Sequence, residues 1–172
     1  MSVKQFNATY FNQDDRILLR FNTLDESEIR LWLTRFMTRH LLIAIHQLVQ
    51  KNLERLYAPQ VALALQEFHE EGLQQSINFQ DTYIPATKFP LGEEALLVTG
   101  LNLLSQEDIF SIDFNLINQQ NVNLKIPMVA AQSLAVLLDQ MQKNSAWNID
   151  IAAEGMSPIA SNLASIDKNK LH

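Results

Sequence analysis

Ile29-Arg30-Leu31-Trp32-Leu33 admits two readings. With Glu26 and Glu28 ahead of it, and arginine and leucine throughout, it would suit a helix starting near Glu26. Alternation of Ile29, Leu31 and Leu33 with Arg30 and Trp32 suits a β-strand instead. A second stretch, Val122-Asn123-Leu124-Lys125-Ile126, repeats the alternation with weaker helix character, so both are read as strands. A slide of 93 positions superimposes the two stretches. The overlay extends without a gap from Lys4–Val49 onto Leu97–Gln142. Ile17, Leu19 and Phe21 fall on Phe110, Ile112 and Phe114, and the helical stretch from Thr34 falls on the one from Pro127. Identities are few, among them Gln13/Gln106, Asp15/Asp108, Phe21/Phe114 and Leu31/Leu124. The shared period, first two and then 3.6, makes the overlay a repeat.

Outward from that core the elements follow. Phe6, Ala8 and Tyr10 alternate through a strand that ends at the turn residues Asn12 to Asp15. Arg16 to Leu24 and Ile29 to Leu33 form a hairpin about Asp25 to Glu28. Thr34 supplies an N-cap, and Met37, Leu41, Ile45 and Leu48 line one face of a helix to about Leu56. Pro59 opens another helix, with Val61, Leu65 and Phe68 on one side and Gly72 helping to end it. Gln74 to Glu94 is an irregular connector broken by Pro85, Pro90 and Gly92, with a short strand at Ile77 to Phe79. The second unit then runs through strands Ala95 to Leu104, Ile109 to Ile117 and Val122 to Ile126 into a helix from Pro127 to about Lys143. Asn148 to Ala152 reads as one more short strand.

The predicted fold class is α+β: two pseudo-repeated βββα units forming antiparallel sheet backed by helices, with a helical connector. Residues 1–153 form a single domain, with units 3–56 and 94–144 and connector 57–93, and 154–172 is a loose tail. Each ribbon is expected to turn its apolar face toward its own following helix, in a pseudo-twofold arrangement.

The chain has 172 residues, enough to bury about two thirds of its unfolded surface without a metal or disulfide as a staple. It has no cysteine, which excludes thiolate catalysis, thiolate zinc sites and iron–sulfur clusters and suits a cytoplasmic setting. No apolar run approaches the ~20 residues that span a bilayer, so no membrane role is expected. The net charge of −6 disfavours non-specific attraction to polyphosphate. Its distribution is uneven: residues 1–56 hold eight Lys or Arg against six Asp or Glu, and 57–172 hold five against thirteen.

Catalytic and metal signatures are missing. His69 stands among Glu67, Glu70 and Glu71, which reads as a solvated acidic helix face, because a di-iron site needs Glu-x-x-His pairs from more than one helix. His40 and His46 are six apart, off the i,i+4 spacing of helix-borne metal ligands. There is no nucleophile elbow, and four glycines make neither a phosphate loop nor a dinucleotide fingerprint. The carboxylate pairs Asp14/Asp15, Asp25/Glu26, Glu93/Glu94 and Glu107/Asp108 fall at turns, where turn chemistry explains them. No catalytic residue, cofactor or metal is assigned. An active site assembled from Arg35, Arg39, His40 and distant residues is the remaining route to an enzyme.

At Ile29-Arg30-Leu31-Trp32-Leu33-Thr34-Arg35, together with Ala95-Leu96-Leu97-Val98-Thr99-Gly100, the chain resembles a group of uncharacterised bacterial, mostly proteobacterial, proteins. In that group a strand like Arg-Leu-Trp-Leu-Thr-Arg-Arg runs into a helix. Phe36 departs from the group's repeated arginine. The resemblance implies a bacterial, cytoplasmic setting and no activity.

Strand alternation also yields a candidate surface. If Ile17, Leu19, Phe21, Ile29, Leu31 and Leu33 face the helix, then Leu18, Arg20, Asn22, Arg30 and Trp32 face away. Phe11, Leu18, Arg20, Arg30 and Trp32 form the expected interaction surface. It suits a protein partner or a second copy, since Trp and Arg are enriched at hot spots. Stacking of single-stranded nucleic acid on the same face is the alternative. Burial of Trp32 under Tyr57, Tyr83, Phe89 or the connector would make it core instead.

Overall fold

Among the described residues, those that alternate in the sequence form six strands, and the 3.6-residue stretches form three helices. The computed structural model describes residues 3–76 and 83–150. Its elements are β1 (Val3–Phe11), β2 (Arg16–Thr23), β3 (Glu28–Thr34), α1 (Arg35–Glu54), α2 (Pro59–Ser76), β4 (Leu96–Gln106), β5 (Ile109–Leu116), β6 (Asn121–Pro127) and α3 (Met128–Asn144). The architecture is α+β, as predicted, and Ile29–Leu33 is a strand. The proposed strand at Ile77–Phe79 and the tail 154–172 lie outside the described residues. Asn148 to Asp150 are not a strand, since Asn148 takes a left-handed φ of 49° and breaks the extended run; Ile151 and Ala152 lie outside the described residues.

The strands form one sheet in the order β1-β2-β3-β4-β5-β6. Neighbours are antiparallel except β3 and β4, which run parallel and pair at Leu31 with Leu96 and Trp32 with Leu97. The sheet is therefore mixed, because a helical crossover, not a hairpin, joins the two halves. Ile17, Leu19, Phe21, Ile29, Leu31 and Leu33 are all buried on one face, and so are Phe110, Ile112, Phe114, Val122, Leu124 and Ile126. Against that face lie α1 and α3, and α2 packs on the outside of both. Thr34 caps α1, its hydroxyl accepting from the Met37 amide at 3.2 Å.

Positions 93 apart take equivalent places from β2 onward. Glu26 and Gln119 have left-handed φ values of 64° and 68°. Each amide bonds back three residues, to Thr23 and Leu116 respectively. The gapless overlay fails at the first strand, however. Phe11 stands opposite Arg16, leaving four turn residues, whereas Gln106 stands opposite Ile109, leaving two. The first strands are therefore related by an offset of 95. With that correction Val3 opposite Thr23 matches Val98 opposite Leu116, and both strands are irregular at the same point, between Val3 and Gln5 and between Val98 and Gly100. A two-residue difference preserves which face each side chain takes, so the pattern concealed it.

The helices do not simply cover their own ribbons. Among the strands, α1 packs most on β4 and α3 most on β1, the first strand of the other unit in each case. The sheet curls accordingly, and its edges approach across a cleft lined by Val3–Phe6 and Lys125–Pro127.

On α2 the buried positions are Ala62 and Gln66, with Leu65 half-buried; Phe68 is 70 % exposed and Val61 is also exposed. The expected apolar side of Val61, Leu65 and Phe68 is therefore not the packed one. Gly72 lies inside the helix and does not end it. Among the described residues no helix is long and apolar enough to cross a membrane.

Candidate functional site

Alternation along β2 and β3 turns Leu18, Arg20, Arg30 and Trp32 to the sheet face opposite the helices. Arg20 pairs with Arg30 and Leu18 with Trp32 across the two strands. From β1, Phe11 meets the Trp32 ring edge-on, with centroids 5.1 Å apart. The five predicted surface residues thus lie together, with Phe11 exposed and the other four half-buried.

Two like charges facing each other are unfavourable unless neighbours compensate. Here residues 83–93 do so by crossing the sheet. Arg20 donates to Asn7 Oδ1 and lies 4.7 Å from the centroid of the Tyr83 ring. Arg30 donates to Glu28 and to the Glu93 carbonyl and lies 4.6 Å from the Phe89 centroid. Glu28, 1 % exposed, also accepts from the Tyr83 hydroxyl at 2.9 Å and from the Ala86 amide. Burial pulls the Glu28 carboxyl upward, but the bonds from Arg30 and Tyr83 outweigh it and hold it below the usual glutamate value. The Tyr83 hydroxyl is raised by burial and by the Glu28 carboxylate it serves. Asn22, on this same face, is buried because its side chain donates to the Ile84 carbonyl.

The arginines are therefore committed to holding the connector down. Tyr83 and Phe89 stack on them and not on Trp32. What remains open is an apolar centre of Phe11, Leu18 and Trp32. Farther along, the second unit shows exposed Leu104 and Ile109 and a polar network in which Asn123 donates to Ser111 and Asp113, and Asn121 to Asn115.

A second constellation lies among the helices, where sequence spacing gave no signal. His46 of α1 and Gln66 and Glu70 of α2 meet: His46 Nδ1 lies 3.1 Å from Glu70 Oε1, and Gln66 Nε2 lies 3.0 Å from each. Helix packing brings His46 to Gln66 from twenty residues away. His69, one place along, is exposed. Among the described residues no group of three or more histidine or acidic side chains could hold a metal. His40 is engaged on its own helix, with Nδ1 2.8 Å from the Phe36 carbonyl and its ring against the Phe36 ring.

No family model, curated protein or solved structure matches the chain.

Proposed function

We propose that this chain is a non-enzymatic assembly module that docks a second copy of itself on the outer sheet face, around Phe11, Leu18 and Trp32. The carrying observation is the Phe11–Trp32 edge-to-face pair, with Phe11 40 % exposed on a face that no helix among the described residues covers. A half-buried tryptophan ringed by aliphatic and aromatic neighbours is the kind of residue that dominates protein contacts.

A twofold pairing about Trp32 lays the apolar centres of two copies on each other. Nucleic acid is the weaker reading, because Arg20 and Arg30 are already paired within the chain.

Sedimentation velocity tests the proposal. Wild type is expected to sediment as a dimer at high protein concentration, and Phe11→Glu and Leu18→Glu as monomers. A monomeric wild type defeats it. Oligonucleotide binding that falls steeply with salt would replace it with the nucleic-acid alternative.

A further inference from the structure

We propose that the open edge of the sheet from Gln119 to Asn123, at the start of β6, docks an extended basic segment of another protein, laid parallel to the strand. This edge belongs to the second unit and does not depend on the Phe11–Trp32 face. In the strand order β6 is terminal, with no neighbour on its outer side. Backbone bonds along such an edge give affinity, and the side chains beside it give selectivity.

The first unit supplies the precedent, with the chain's own residues 84–88 laid along the corresponding edge. Asn22 Nδ2 donates to the Ile84 carbonyl at 2.8 Å. The Glu26 carbonyl accepts from the Thr87 and Lys88 amides, and the Glu28 amide donates to the Lys88 carbonyl at 2.8 Å. Ser27 and Lys88 form a parallel bridge there, ahead of the Leu31–Leu96 and Trp32–Leu97 pairs.

Positions 93 further along repeat these fittings, with no occupant among the described residues. Gln119 has the left-handed φ of Glu26, and among the described residues its carbonyl takes no backbone amide. Asn115 pairs with Asn121 in the register of Asn22 with Glu28, so the Asn121 amide leaves the hairpin toward the open edge, as the Glu28 amide does. Asn115 keeps the side chain of Asn22. Its Oδ1 accepts from Asn121 at 2.9 Å, and its Nδ2 remains to donate. Lys125 and Pro127, of the residue types that blunt an edge, stand beyond this stretch.

Charge sets the kind of segment. Where the first unit has Arg20, 4.7 Å from the Tyr83 ring centroid, the second has Asp113. Glu28, which binds the Tyr83 hydroxyl, is replaced by neutral Asn121. Asp113 accepts from Asn123, and no lysine or arginine among the described residues pairs with it. A segment on the same course brings the residue at the Tyr83 place to Asp113, where lysine or arginine satisfies the carboxylate. An acidic residue there would meet Asp113 uncompensated. Residues 57–172 hold thirteen Asp or Glu against five Lys or Arg, which attracts the same kind of partner.

The test is a titration of the ¹⁵N-labelled full chain with a synthetic peptide of residues 83–92 carrying Tyr83→Lys, with the Tyr83→Glu peptide as control. The Tyr83→Lys peptide is expected to move the amides of Gln119, Asn121 and Asn123 saturably. It should leave those of Glu28 and Arg30 in place, because the chain's own segment holds that edge. The Tyr83→Glu peptide should bind about tenfold more weakly. In the full chain, Asp113→Asn should abolish that preference. Asn121→Pro removes the edge-facing amide where an edge strand tolerates proline, and should weaken both peptides about tenfold. Should Asn121→Pro fail to fold, Asp113→Asn carries the comparison alone. No saturable shift, shifts at the β3 edge instead, equal affinity for the two peptides, or a preference unchanged in Asp113→Asn overturns the proposal. The same shifts are expected in Leu18→Glu, so the outcome is independent of whether the chain dimerises.

Discussion

The indole Nε1 of Trp147 donates to Asp15 Oδ1 at 2.6 Å, tying the chain beyond α3 to the first hairpin turn across 132 positions. Tyr10 donates its hydroxyl to the same oxygen at 2.8 Å and meets the indole edge-on at 5.6 Å. The bond from Trp147, then that from Tyr10, holds the Asp15 carboxyl below its usual range. The second unit answers in kind: Asn52, near the end of α1, donates to Asp108 Oδ1 at 3.1 Å. Asp15 and Asp108 are 93 apart, so each equivalent carboxylate anchors the end of the other unit's helix.

Trp147 is 3 % exposed, so Trp147→Ala removes a large buried ring as well as the latch. Such truncations cost about 3–5 kcal/mol. Urea unfolding is expected to show a loss of that order, with Trp147→Phe retaining most of the stability.

Glu28 gives the chain an acid-sensitive clasp. Its carboxyl titrates below the ordinary glutamate value in the folded protein. Its contribution is therefore fully present above that ordinary value and is lost as pH falls through the depressed one. Denaturant midpoints followed downward from neutral pH should decline across this window, less so in Glu28→Gln. Amide exchange at residues 86–88, whose backbone meets Glu26 and Glu28, should speed up in that variant.

Thr38 stands where the second unit has Ala131; both are fully buried, and the Thr38 hydroxyl has no hydrogen-bond partner. Thr38→Val keeps the shape and removes the unpaired group. A gain of about 1 kcal/mol in unfolding free energy is expected.

Leu31 and Leu124 are equivalent and completely buried. Each leucine-to-alanine change should cost about 2–5 kcal/mol. If the halves share one core, the two variants lose similar amounts in single, cooperative transitions; a biphasic curve for either contradicts this.

Strand and helix identities were legible because side-chain period is a local property. The parallel matching of Ile29-Leu31-Leu33 with Val122-Leu124-Ile126 resolved the one ambiguous stretch. The outward set of Phe11, Leu18, Arg20, Arg30 and Trp32 was legible for the same reason, since alternation fixes faces. Three things were not. The two extra residues in the first turn left the faces unchanged, so an offset of 93 looked gapless where 95 applies. Residues 83–93 have no period, and their attachment through Tyr83, Phe89 and Glu28 depends on contacts made across more than fifty positions. His46 with Gln66 and Glu70 arises from helix packing, which spacing along one helix does not encode.

Because β3 and β4 share two backbone pairs and α1 and α3 each pack partly on the opposite unit, either half taken alone would lose part of the packing over its apolar face. A single βββα unit would be incomplete in isolation, and trading helices with a twin would complete it. The crossing of α1 and α3 onto opposite units is the arrangement such an exchanged pair would have, held here in one polypeptide.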